Sequence, residues 1–96
     1  MDKRANKRIK IHQLARVCGK MGVMNNISID GLEVSTSVLP ENRKIDVCFE
    51  VFGEEITVWG VVQWFRRKTS IKNLNELGVV IKEAPPQYYR YVNSLV

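Results

Sequence analysis

Apolar and polar residues alternate along most of this chain. Ile9 and Ile11 alternate with Lys10 and His12, the period of a half-buried strand. Leu14 and Val17 extend that segment without fixing its register. Gly19-Lys20-Met21-Gly22 reads as a turn. Residues 23–29 look extended again, interrupted by Asn25-Asn26, and Asp30-Gly31 is a turn or bulge signal. Residues 32–36 resume strand character. Residues 39–43 read as a loop, because Pro40 lacks a backbone donor. Ile45, Val47, Phe49 and Val51 then alternate cleanly with Asp46, Cys48, Glu50 and Phe52. Gly53-Glu54 predicts a hairpin into residues 56–65, rich in Val and Trp. The polar stretch 66–75 predicts an exposed loop, and 77–81 a final strand. The count is six or seven strands joined by short turns.

The tail has a different period. Pro85-Pro86 ends the extended region, and proline is tolerated in a first helical turn. Tyr88, Val92 and Leu95 follow at i, i+4 and i+7, which predicts a short amphipathic helix over about residues 86–95 whose apolar face caps the sheet. Strands at this spacing suit a small all-β barrel. Ninety-six residues make one domain with one modest core. Trp59 and Trp64 have opposite parity on their strand, which places them on opposite faces and one of them in the core.

Charge changes the picture more than composition does. The net charge is +5, but it is unevenly distributed. Residues 1–20 carry seven basic groups against Asp2 alone, a net +6. The remaining residues carry eight basic and nine acidic groups, a net −1. The basic character belongs to an arm, Lys3-Arg4-Ala5-Asn6-Lys7-Arg8-Ile9-Lys10. That pattern points either to a solvated tail or to an anion clamp. The opening residues are charged rather than apolar, which predicts no secretory leader and a cytoplasmic setting. No apolar run is long enough to span a membrane.

The reactive residues point away from catalysis. Cys18 and Cys48 stand thirty positions apart and read as free structural thiols. His12 is the one histidine, so neither a metal site nor a nucleophilic triad is expected. The chain reads as a non-enzyme without a cofactor.

Two short motifs carry the functional signal. Arg4-Ala5-Asn6-Lys7-Arg8 is R-x-x-x-R, and Asn26-Ile27-Ser28-Ile29-Asp30-Gly31 is N-x-S-x-x-G. Each is weak alone. They stand about twenty residues apart, and a Gly-Val-Val-Gln-Trp strand at 60–64 and a Leu-Gly-Val-Val-Ile strand at 77–81 come after them in order. This set resembles the PilZ domain, a bacterial receptor module for cyclic di-GMP, over nearly the whole chain. The resemblance implies a six-stranded antiparallel barrel over residues 9–84, a flexible basic arm at 1–8 and a C-terminal helix at 85–96. It implies cyclic di-GMP held between the arm and one barrel face by Arg4, Arg8, Asn26, Ser28 and Gly31, with Lys3 as an auxiliary contact. It also implies a downstream protein partner, with motility or biofilm control among the family's outputs.

The residue types suit that ligand. A guanidinium fork meets the O6 and N7 acceptors of guanine bidentately, which a lysine ammonium does not. Arg4 and Arg8, roughly 13 Å apart in an extended arm, can grip separate parts of one ligand. The Asn26 amide can both accept from and donate to a guanine edge. Ser28 lies two residues on, hence on the same strand face, where its hydroxyl can add a contact. Gly31 permits positive φ and close backbone approach. On its own, 26–31 would read as an Asx-turn ending a strand. Arg66-Arg67-Lys68 reads as a solvated hairpin tip, with an anion or partner contact as the other reading. The competing function is a nucleic-acid-binding barrel. It is disfavoured because the first aromatic, Phe49, is far in sequence from the basic arm. A partner-only adaptor of the same family is disfavoured because the motifs are present.

Overall fold

The computed structural model describes residues 7–38, 40–67 and 74–96. Within them the chain runs β1 (Ile9–Val17), β2 (Lys20–Ile27), β3 (Gly31–Thr36), β4 (Lys44–Val51), β5 (Glu54–Arg67), β6 (Asn75–Glu83) and α1 (Pro86–Ser94). The six strands close into an antiparallel barrel in the order β1-β2-β3-β6-β5-β4. The expected six-stranded barrel with one short C-terminal helix is therefore the fold. Closure removes free sheet edges, which a small open sheet would expose.

The alternation translates directly into an inside and an outside. Ile45, Val47, Phe49 and Val51 of β4 all point into the barrel, as do Ile56, Val58 and Val62 of β5. One inward row runs across five strands: Ile9 pairs with Ile27, Ile27 with Leu32, Leu32 with Val79, and Val79 with Val62. Branched side chains fill such a row well because they fit a pleated surface.

Several local expectations are corrected. The β1–β2 turn is Cys18-Gly19 at positive φ, not the whole of 19–22, and Gly22 lies inside β2 opposite Ala15. The β4–β5 turn is Phe52-Gly53, with φ of 50° and 79°. Two consecutive positive φ values match the right-handed twist of a hairpin. The 66–75 stretch is not simply a loop, since β5 extends to Arg67 and β6 begins at a buried Asn75. Leu39 and residues 68–73 lie outside the described residues, as do 1–6 of the expected arm.

The barrel is least tightly zipped between β1 and β4, where the paired positions are Arg16 with Cys48 and Val17 with Val47. Helix α1 reinforces that seam. Tyr88 and Val92 are buried in the core. Tyr91 donates a 2.7 Å hydrogen bond to Gln13 of β1, while its ring contacts Phe49 and Phe52 from β4 and its turn. Gln13 in turn donates to the Glu50 carbonyl at 2.7 Å. No helix among the described residues is long and apolar enough to cross a membrane. Cys18 and Cys48 are both free thiols.

Candidate functional site

The site is built by two β-bulges. In β2, Met24 pairs with Val34 but Asn26 pairs with Glu33, so Asn25 is an extra residue. A bulge of this kind reverses the facing of the residues beyond it. Met24 points inward and would carry Asn26 inward with it by simple parity. The extra residue instead puts Asn26 outside, beside Glu33. In β5, Val62 pairs with Val79 but Trp64 pairs with Gly78, so Gln63 is the extra residue. Val62 points inward, and Trp64 is swung outward. Together the bulges assemble an outward row across five strands: Lys10, Asn26, Glu33, Gly78 and Trp64.

This corrects the parity expectation for the tryptophans. Neither belongs to the core, and Trp59 is half exposed. Trp64 lies over Gly78, where any Cβ would collide with the indole. Glycine at 78 is what lets the indole pack this closely against the strand.

A cavity of about 170 Å³ opens on this face. Arg8, Asn26, Ser28, Gly31, Glu33 and Trp64 are among the residues that line it. Arg8, Asn26, Ser28 and Gly31 are thus brought together although the first two stand 18 positions apart. Arg4 and Lys3 lie outside the described residues. The cavity is smaller than the roughly 300–1,000 Å³ of sites that enclose a drug-sized ligand. A ligand of dinucleotide size would be only partly enclosed and would need cover from elsewhere.

The four residues do different work. Arg8 is exposed just ahead of β1. The Asn26 amide donates to a Glu33 carboxylate oxygen at 3.0 Å, so its carbonyl oxygen remains as an acceptor. Ser28 does not share a strand face with Asn26. It sits past the end of β2, 2% exposed, in the turn to β3. Its hydroxyl donates to the Asp30 carboxylate at 2.7 Å and accepts from the Gly31 N–H at 3.1 Å. Its own N–H donates to the Gly31 carbonyl at 2.9 Å. Gly31 does not adopt positive φ. It is required by close approach, since a Cβ there would stand 2.8 Å from the Val79 carbonyl oxygen.

The turn is held from below by α1. The Tyr88 hydroxyl donates to the Ser28 carbonyl at 2.6 Å. Burial pushes this phenol far above its ordinary range, with smaller contributions from Tyr89 and Asp30, so it stays a neutral donor. Arg66 is not a free hairpin tip. Its guanidinium lies 5.9 Å from the Trp64 ring centroid and 3.3 Å from the carboxylate of the buried Glu76. Glu33 and Trp64 are the cavity-lining residues that strand parity alone misplaced or left out. The signal for Trp64 was available in Gly78, a glycine inside a strand opposite an aromatic.

No protein-family profile and no curated relative matches the sequence. Among solved structures the chain is similar to the Bacillus subtilis inhibitor of motility (MotI/DgrA), with a TM-score of 0.76 at 10% sequence identity. The likeness covers 99% of this chain and 50% of that one, so the chain spans about half the length of its structural neighbour. At this identity the likeness is one of fold.

Proposed function

We propose that this chain is a PilZ-type receptor for cyclic di-GMP, a binding module rather than an enzyme. The observation that carries this reading is the convergence of Arg8, Asn26, Ser28 and Gly31 on one outer barrel face, beside an outward indole. Arg8 supplies charge and a planar fork for a guanine edge or a phosphate. Asn26 supplies an acceptor for guanine N–H groups. Trp64 offers a ring face for a base. Ser28 and Gly31 shape the rim instead of reaching far into it. Arg4 enters from its R-x-x-x-R spacing to Arg8 and Lys3 as an auxiliary contact just before it; the arm closes over the nucleotide and supplies the cover the small cavity lacks. An arm that changes position on binding gives a downstream protein in the cytoplasm something to read. Structural likeness to an inhibitor of motility makes motility one output to examine.

Isothermal calorimetry tests the reading. Cyclic di-GMP should release or absorb heat with saturation at tens of micromolar or below. Arg8→Ala should lose at least tenfold in affinity, as expected for removing a charge-assisted hydrogen-bond donor. No binding by the wild type sinks the receptor assignment. Unchanged binding by Arg8→Ala removes the clamp. A salt-dependent gel shift with single-stranded nucleic acid, with no response to cyclic di-GMP, would favour the competing barrel function.

A further inference from the structure

Glu33 is a carboxylate on the face where a ligand with two phosphates would bind. A negative charge there repels a phosphate held nearby. Yet the fold holds this residue at the site. The Asn25 bulge turns Asn26 outward beside it, and the facing β6 position is Gly78, which carries no side chain to cover it. The carboxylate therefore borders the cavity between Asn26 and the Trp64 indole. One of its oxygens holds the Asn26 amide N–H at 3.0 Å.

The chemistry that reconciles a carboxylate with an anionic ligand is a donor edge. Guanine presents N1–H and N2–H₂ side by side, both donors. A carboxylate is acceptor-only and matches that pair. Adenine presents an unprotonated N1 at the same place, which a carboxylate repels. By fixing the Asn26 NH₂, Glu33 also leaves the Asn26 carbonyl oxygen as a second acceptor next to itself. Two neighbouring acceptors flanking an indole face make a socket for a guanine donor edge.

We infer that Glu33 is the base-selecting residue of this site, reading the N1–H/N2–H₂ edge of one guanine and rejecting adenine. This rests on the receptor reading above and adds to it the means of discrimination. A purely structural role, acting only by tethering Asn26, would disappear in an Asn26→Ala background, whereas a direct contact from Glu33 to the base would persist there. The selecting role changes the ratio between two ligands.

The test is calorimetric titration of the wild type and Glu33→Gln with cyclic di-GMP and, separately, cyclic di-AMP. Wild type should bind cyclic di-GMP and show far weaker binding of cyclic di-AMP. Glu33→Gln should lose roughly tenfold for cyclic di-GMP, the worth of one hydrogen bond to a charged group. It should also narrow the ratio between the two ligands, because a glutamine can turn its NH₂ toward the adenine N1. Glu33→Gln binding cyclic di-GMP as tightly as wild type, or more tightly, overturns the inference, since that is the behaviour of a carboxylate that only repels phosphate. A parallel loss for both ligands also overturns it. Should Glu33→Gln fail to fold, Glu33→Asp keeps the charge and shortens the reach; it should lose cyclic di-GMP affinity while still rejecting cyclic di-AMP, and equal affinity overturns the inference. A wild type that binds neither ligand removes the receptor reading itself, an outcome distinct from these.

Discussion

Removing the Tyr88 hydroxyl tests how the helix and the site turn depend on each other. Tyr88 is fully buried, and its ring meets Phe49 edge-on with centroids 6.2 Å apart. Tyr88→Phe preserves that packing and deletes one atom. The atom lost is the donor to the Ser28 carbonyl at 2.6 Å. A buried carbonyl stripped of its donor costs about 1–3 kcal/mol. For a domain of this size each kcal/mol lowers Tm by about 4–8 °C. A control is built in. Tyr91→Phe also deletes a phenol hydrogen bond, of 2.7 Å to Gln13, but at a half-buried position where water can replace it. Its cost should be about 1 kcal/mol or less.

Urea denaturation of the two variants, read by far-UV circular dichroism, measures the difference. Tyr88→Phe should have the lower midpoint with an unchanged slope, since neither variant alters the surface exposed on unfolding. The turn it loosens carries Ser28 and Gly31, so cyclic di-GMP affinity should also fall, by less than Arg8→Ala produces. A Tyr88→Phe protein as stable as Tyr91→Phe would refute the claim that α1 is pinned through this bond.

Gly78→Ala should be destabilised by about 1–3 kcal/mol through overpacking against the Trp64 indole, with a shift in tryptophan emission as the ring is displaced; Gly19→Ala, where a Cβ meets nothing within 4 Å, isolates the cost of positive φ alone and should leave the emission unchanged. Stability should fall with alkaline pH. The Tyr88 phenol is held above its ordinary value by burial, so the unfolded chain ionises first and binds fewer protons. The contribution is complete below about pH 10, the unperturbed tyrosine value, and is lost as pH rises beyond it. Urea midpoints at pH 8 and pH 11 check this, and Tyr88→Phe should show a shallower decline.

How much of this is legible in the sequence depends on what each residue reports. Strand identity is legible where one face is buried on one side only, as in β4, because burial is what enforces a period of two. The hairpin position is off by one because Phe52 is a poor residue for positive φ, so the sequence carries only half of the usual turn signal. The tryptophan faces are misassigned for a sharper reason. Parity arguments propagate an error from any inserted residue to everything after it. Gln63 is polar in an apolar run and carries no mark of being the extra residue, yet it decides where Trp64 points.

The N-x-S-x-x-G stretch shows the same limit from the other side. Its letters are visible, and the structure does gather them with Arg8, but letters do not divide labour. Asn26 faces outward only because of the Asn25 bulge, and its amide is oriented by Glu33, a residue outside the motif. Ser28 and Gly31 are consumed in shaping the turn, one by a hydroxyl shared between Asp30 and a backbone N–H, the other by a close carbonyl. A motif of this kind therefore specifies a rigid rim plus one outward amide. Base selectivity then rests on that amide's acceptor together with what the bulge sets beside it, and in this chain that neighbour is Glu33. The seven basic groups of the first twenty residues give general attraction for an anion; a single carboxylate lining the same cavity as Arg8 can discriminate between anions, because it rewards a donor edge where the basic groups reward only charge.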